Sequence, residues 1–260
     1  MRRRYAGAMS TATAPEWYVI SLRPRGQHAP MRRAAARHGG AVIALSPWTL
    51  QSRDDDAARR ALEFALAAPR VLVTSPAAVR AASALQPLRI GEGQRWFAVG
   101  AGTAAALRRT GIDTVATPTR MDSEGLLALP GLQWFDGDAI GLLTAPGGRG
   151  TLVPALRARG AEVRRADVYQ RVPVPPAPRA LAALRQLSRP AAIALSSGEA
   201  LHLMLATVPV DVAARLRALP VVGASDRLLE LAATLGFEHR HRAVDARPAM
   251  LVEAVATLLC

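Results

Sequence analysis

The chain has 260 residues and no lysine, a single cysteine and few aromatic side chains. Each shortage excludes something. Cys260 alone can build neither a disulfide framework nor a cysteine metal site, and a reducing, cytoplasmic setting is expected. No apolar run reaches the ~18–20 residues of a membrane-spanning helix, so no membrane partner is expected. Without lysine there is no Gly-Lys-Ser/Thr phosphate loop. No Gly-x-Ser-x-Gly nucleophile elbow is present either. Aromatics make up 4% of the chain, which leaves few rings on which bases could stack.

Basic charge, by contrast, is plentiful. All 33 Lys+Arg positions are arginine, and the formal net charge is +13. GC-rich coding, which writes Arg for Lys, accounts for such a composition, and so does a polyanionic partner. The arginines are spread over many helical segments and are not interleaved with aromatics, so a nucleic-acid partner is not expected. Of the five histidines, His239 and His241 alternate along an expected strand and face one side. They read as a solvated strand face, and no metal site is expected. Residues 1–16 are basic, then small and polar, and are expected to form a disordered tail.

Four segments share one punctuation: a helical pattern ending in basic residues, then Gly, then a β-rich run. They join helix 31–38 to strand 41–45 through Gly39 and helix 103–110 to strand 114–117 through Gly111. They also join helix 152–159 to strand 162–169 through Gly160, and helix 226–235 to strand 237–244 through Gly236. Glycine after the last turn supplies a left-handed cap, and arginines there suit the helix dipole. Short apolar runs at 17–21, 71–74, 96–99, 139–144, 191–195 and 220–222 supply strands buried on both faces. Alternating β and α of this kind predicts α/β architecture with parallel sheets.

A βαβ block also occurs twice. Thr74 leads through a helix to Val99-Gly100, and Ser196 leads at almost the same spacing to Val222-Gly223. The expected fold is therefore two similar lobes, each a five-stranded parallel sheet flanked by helices in flavodoxin-like fashion. The second lobe is inserted in the first. Lobe 1 comprises 17–46 and 174–260, and lobe 2 comprises 53–168. A two-stranded crossing near 47–52 and 169–173 joins them. Pro173, Pro175, Pro176 and Pro178 read as a stiff extended linker in the return crossing. Asp54–Asp56 reads as a helix N-terminal turn.

Ligands of such sheets bind beyond the carboxyl ends of the strands. Those ends carry Leu22-Arg23-Pro24, Thr74-Ser75-Pro76, Gly100-Ala101-Gly102-Thr103, Pro146-Gly147-Gly148-Arg149, Ser196-Ser197-Gly198 and Gly223-Ala224-Ser225. Any one of these is explained by helix capping. Six facing one gap between lobes favour anion binding through backbone N–H groups and helix N-termini. Gly100 to Ala105 resembles a dinucleotide fingerprint, but the following strand lacks its ribose-binding acid, and Asp122 lies beyond it; no cofactor is expected. Tyr169, at the end of the last strand of the inserted lobe, is expected at the crossing. Its phenol there could donate a hydrogen bond to a leaving hydroxyl, or could seal the junction with its OH in water.

Together these residues resemble the uroporphyrinogen-III synthase family. The resemblance rests on Arg23-Pro24, the Thr74-Ser75-Pro76 turn within 71–79, Val99-Gly100 with Thr103-Ala104, Gly148-Arg149, and Gly160-Ala161-Glu162-Val163. It extends through Val168-Tyr169-Gln170-Arg171-Val172-Pro173 and Ser196-Ser197 with Val222-Gly223. It implies a cofactor-free and metal-free enzyme, a lyase of tetrapyrrole biosynthesis. The reaction implied is cyclisation of hydroxymethylbilane, a small-molecule octacarboxylate, with inversion of ring D and loss of water. Water loss leaves an electron-poor azafulvene, and ring D attacks through a spiro intermediate. The resemblance makes Tyr169 the catalytic candidate. Arg23, Thr74, Ser75, Gly100, Thr103, Gly148, Ser196, Ser197, Gly223 and Ser225 are the substrate-binding candidates. A monomer is the default.

The sequence departs from the family's pattern at Leu22 before Arg23, at Gly198 and Glu199 after Ser197, and at Asp226 and Arg227. Asp226 near bound carboxylates is electrostatically unfavourable unless it caps its helix. The competing classes are a non-catalytic two-lobed anion- or tetrapyrrole-binding homologue and, from charge alone, a nucleic-acid-binding protein.

Overall fold

The computed structural model describes residues 14–120, 123–147 and 150–260. The chain forms two compact units. Unit 1 takes in the chain to Thr49 and Pro173–Cys260, and unit 2 is Leu50–Val172. Of the expected tail, residues 1–13 lie outside the described residues. Glu16 is tied down, since its N–H donates to Gly39 O.

Unit 1 begins with β1 (Tyr18–Ser21), α1 (Ala29–Arg37) and β2 (Ala41–Ala44). The chain then passes through β3 (Trp48–Ser52) into unit 2. There it forms α2 (Asp56–Leu66), β4 (Arg70–Val73), α3 (Pro76–Leu85), β5 (Arg95–Ala98), α4 (Ala101–Arg108) and β6 (Val115–Ala116). A return follows through α5 (Ser123–Leu127) and a 3-10 turn, and then β7 (Ala139–Thr144), α6 (Leu152–Ala158) and β8 (Glu162–Asp167). After β9 (Tyr169–Pro173) the chain re-enters unit 1 with α7 (Pro178–Arg185), β10 (Ala191–Leu195), α8 (Gly198–Thr207) and α9 (Val210–Arg217). It ends with β11 (Val221–Gly223), α10 (Asp226–Thr234), β12 (Arg240–Arg242) and α11 (Pro248–Leu259).

Each unit holds one five-stranded parallel sheet. Unit 1 is ordered β12-β11-β10-β1-β2, the 2-1-3-4-5 winding of flavodoxin-like folds. Unit 2 is ordered β6-β5-β4-β7-β8, a 3-2-1-4-5 winding. Both orders keep strands parallel through helical crossovers. They differ in where the chain reverses: between β1 and β10 in unit 1, and between β4 and β7 in unit 2. The duplicated block occupies β4-α3-β5 and β10-α8-α9-β11, neighbouring strands in both sheets.

Burial explains the strands. Every residue of Ala191–Leu195 is buried, as are Val71, Leu72 and Val73 of β4. In unit 2, one apolar layer gathers Leu62, Val79, Trp96 and Leu107 on one face of the sheet, and another gathers Phe97, Leu132, Phe135 and Leu156 on the other. In unit 1, α1 and α11 cover one face through Met31, Leu251, Val252 and Val255. The four joints all hold glycine at positive φ: Gly39 at 73°, Gly111 at 91°, Gly160 at 86° and Gly236 at 85°. A residue with a Cβ is strained there, so the joints mark where each helix must stop.

Several boundaries differ from the sequence pattern. The strand expected over 162–169 ends at Asp167, and Tyr169 opens β9 instead. Val168 is the changeover: its N–H donates to Thr144 O, and its C=O accepts from Arg53 N–H. β9 pairs with β3 in a two-stranded sheet of its own. The proline linker is shorter than expected, because Pro173 ends β9 and Pro178 starts α7. Proline is tolerated at both places, since neither needs its N–H. The strand expected over 237–244 is confined to Arg240–Arg242. Asp55 caps α2 by accepting from Ala58 N–H at 2.8 Å, with Asp56 in the first turn. His239 and His241 are exposed. Among the described residues no helix is long and apolar enough to cross a membrane.

The tightest approach of helix to sheet is at Gly141 in β7. A Cβ there would lie 2.0 Å from Ala65 O at the end of α2. Backbone cannot yield as a side-chain tip can, so Gly141→Ala is expected to cost about 3 kcal/mol. A urea unfolding curve checks this; an unshifted midpoint would contradict the packing described.

Candidate functional site

In unit 2 the order reverses between β4 and β7, so the turns after those strands diverge and leave a crevice. A cavity of about 240 Å³ occupies that place. Thr74 and Ser75 line it from the end of β4, and Thr144 and Ala145 from the end of β7. Thr151 and Leu152 line it from the start of α6, and Arg165, Tyr169 and Arg171 from β8 and β9. Two threonines bridge the reversal, with Thr74 Oγ1 donating to Thr144 Oγ1 at 3.0 Å.

Tyr169 is held from one side. Its ring is 7% exposed, within the apolar layer that includes Val73, Ala98 and Val168. Its OH lies 3.2 Å from Ser75 Oγ, and either oxygen can donate. Ser75 in turn caps α3, its Oγ accepting from Ala78 N–H at 3.1 Å. A capped helix therefore fixes Ser75, and Ser75 fixes the phenol. When Ser75 gives its hydroxyl proton to the tyrosine oxygen, the Tyr169 proton is left free to donate into the cavity.

The cavity wall is basic. Arg165 and Arg171 line it, and no Asp or Glu does among the described residues. Arg165 is oriented by Asp167 at 2.9 Å and by Ala145 O, to which it donates at 3.1 Å. Sequence reasoning missed Arg165 and Thr144. Their signal was the charged run in β8 and the Thr that ends the apolar run of β7. Arg171 stood in the Tyr-Gln-Arg run but without a role.

The remaining turns are distributed over both units. In unit 2, Gly100 is the N-cap of α4, and Thr103 in its first turn is 3% exposed. In unit 1, Ser197 caps α8 through Ala200 N–H at 3.3 Å, and Ser196 beside it is exposed. Gly223 ends β11. Ser225 starts α10 without a side-chain cap hydrogen bond. Asp226 pairs with Arg242 at 3.2 Å, which offsets its charge. Arg23 is half-buried and donates from Nε to Gln27 O, folding the turn between β1 and α1. Burial lowers its guanidinium below the ordinary value. Gly148 and Arg149 lie outside the described residues, as does Asp122.

A family model described as uroporphyrinogen-III synthase HemD matches residues 29–253. The chain belongs to the uroporphyrinogen-III synthase family. A curated uroporphyrinogen-III synthase from Salmonella typhimurium is 45% identical over 78 residues, which is 30% of this chain and 32% of that protein. The match thus spans about a third of the curated relative's length. A mutant uroporphyrinogen III synthase from Thermus thermophilus superposes with a TM-score of 0.60 at 18% identity, covering 90% of this chain and 95% of that one. A uroporphyrinogen-III synthetase from Helicobacter pylori 26695 gives a TM-score of 0.59 at 14% identity, covering 93% and 99%. At such identities these two structures show a shared fold.

This family member also contains a buried histidine that its sequence did not single out. His28 is 6% exposed and bridges two hydroxyls, with Nδ1 3.0 Å from Ser21 Oγ and Nε2 2.8 Å from Ser46 Oγ. One ring nitrogen donates and the other accepts. Burial, and then the charges of Arg32 and Arg23, push its pKa down to about 4 from 6.5. The folded ring stays neutral where the unfolded ring takes a proton. Stability is therefore complete above pH 6.5 and is lost as pH falls toward 4. Between pH 7 and pH 5 the loss due to His28 is expected to reach about 2 kcal/mol. Urea unfolding at both pH values, with His28→Gln as reference, measures it. An equal acid loss in wild type and variant would contradict a neutral buried ring.

Proposed function

We propose that the protein is a uroporphyrinogen-III synthase. It closes hydroxymethylbilane into uroporphyrinogen III, with inversion of ring D and loss of water. The observation that supports this best is the phenol of Tyr169 seated on Ser75 in a basic cavity, at the strand reversal of a member of this family.

The chemistry asks little of side chains. The bond from the hydroxymethyl carbon to its oxygen breaks, and the oxygen takes a proton and leaves as water. Tyr169 is suited to lend that proton. The resulting azafulvene carbon is attacked by the substituted carbon of ring D to give a spiro intermediate. The bond from that substituted carbon to the methylene shared with ring C then breaks, and the unsubstituted α carbon of ring D bonds to the freed methylene, closing the ring with D inverted. The proton lent at the start is recovered when ring D loses its α hydrogen. The harder task is orientation, since an unassisted chain closes at the unsubstituted carbon. Arg165 and Arg171 are suited to hold carboxylates, as are the turns at Thr74-Ser75, Gly100 to Thr103, Ser196-Ser197 and Gly223 to Ser225. No cofactor and no metal enters this scheme. We place the reaction in the cytoplasm and assign it to a monomer.

The test is to incubate the protein with freshly made hydroxymethylbilane and separate the isomers. Isomer III is expected; isomer I alone at the spontaneous rate would make the protein a non-catalytic homologue. Tyr169→Phe is expected to lower kcat by roughly a hundredfold while the product remains isomer III, because positioning survives. An unaltered kcat would remove Tyr169 from the chemistry. Ser75→Ala is expected to lower kcat less than Tyr169→Phe and to lower stability by about 1 kcal/mol through loss of the α3 cap.

A further inference from the structure

Unit 1 contains a larger cavity, of about 520 Å³. It does not lie where the strand order reverses. It lies beside the carboxyl end of the edge strand β2, walled by three separate pieces of chain. The turn between β1 and α1, with the first turns of α1, contributes Arg25, His28 and Arg32. The end of β2 contributes Ala44 and Ser46. The segment entering α7 contributes Pro175 and Arg179. The volume is that of a small-molecule pocket rather than of a single trapped ion.

Its charge is one-sided. Arg25, Arg32 and Arg179 are exposed, and among the described residues none of their guanidinium groups has a hydrogen-bond or ion-pair partner. Among the described residues no Asp or Glu lines the cavity. Some exposed arginines elsewhere in unit 1 are paired, Arg185 with Asp211, Arg242 with Asp226 and Arg247 with Asp245. Others, such as Arg33 and Arg37, are exposed on α1, and what distinguishes Arg25, Arg32 and Arg179 is that they line one cavity together. Three cations around one concavity repel each other until an anion joins them. The wall behind them is polar but uncharged at neutral pH, because His28 is held neutral against Ser46. Guanidinium forks match carboxylate oxygens in pairs, so the cavity can take more than one carboxylate.

We propose that the cavity walled by Arg25, Arg32 and Arg179 is an anchoring site for carboxylate arms of the enzyme's polyanionic ligand. It shares no residue with the cavity around Tyr169. The ligand's identity rests on the synthase reading; the anion site does not. Its role is binding alone, so it acts on affinity and leaves the proton transfer to Tyr169.

The test uses the full-length protein and two readouts. In the first, citrate is titrated while the His28 ring resonances are followed by NMR, with pyrophosphate in a parallel arm. Citrate is expected to shift those resonances saturably in the wild type, and the double variant Arg32→Gln, Arg179→Gln is expected to need about tenfold more of it. In the second, hydroxymethylbilane kinetics are expected to show KM raised about tenfold in the double variant, with the effect on KM exceeding that on kcat. Arg33→Gln, exposed on the same helix and not lining the cavity, is expected to change neither readout. Unchanged citrate binding and unchanged KM in the double variant, with wild type still making isomer III, would overturn the site and leave the synthase reading standing. Weakened citrate binding in a protein that makes no isomer III would overturn the synthase reading and support the site. Tighter binding of pyrophosphate than of citrate would overturn the assignment to carboxylates.

Discussion

Both units depend on strands that are buried on both faces. A strand such as Ala191–Leu195, apolar throughout, can present nothing to a ligand along its length. Its backbone groups are spent on neighbours in the ladder and its side chains on the covering helices. Only the ends of such strands remain for chemistry. At the amino ends stand the glycine joints, where helices stop in left-handed caps. At the carboxyl ends stand Ser, Thr and Gly, beside the helix N-termini that follow. The fold thus sorts structural residues to one end of each sheet and candidate binding residues to the other.

This sorting explains why Tyr169 can be singled out although tyrosine has no unusual chemistry in itself. Its ring is packed as a core residue, while its OH meets a serine already committed to a helix cap. The phenol is therefore positioned by two ordinary structural devices. Arg165 follows the same logic, with one end of its guanidinium held by Asp167 and the rest at the cavity. The proposed substrate, a flexible octacarboxylate, asks for many such fixed donors and few reactive groups, and the turns are suited to supply them.

Much of the fold was legible because glycine joints and apolar runs are local signals. Gly39, Gly111, Gly160 and Gly236 each mark a helix end that the structure contains. The helices α7, α9 and α11 lack such a joint and were not marked, although α11 covers much of one face of the unit 1 sheet. The winding of unit 2 was not legible either, because the place where strand order reverses depends on contacts between strands distant in sequence. The site divides in the same way. Ser75 and Ser197 could be found from turn chemistry, whereas the Ser21–His28–Ser46 chain and the three arginines around it could not. Those residues converge only when β1, β2 and the segment entering α7 are placed side by side.

Backbone amide shifts on titration with uroporphyrin III decide whether ligand binding belongs to the carboxyl ends of the two sheets. Perturbations are expected to cluster at Ser75, Thr103, Ser197 and Ser225 and their neighbours, with the joints at Gly39, Gly111, Gly160 and Gly236 unmoved. Shifts concentrated at those four glycines, with the serine and threonine turns silent, would contradict it.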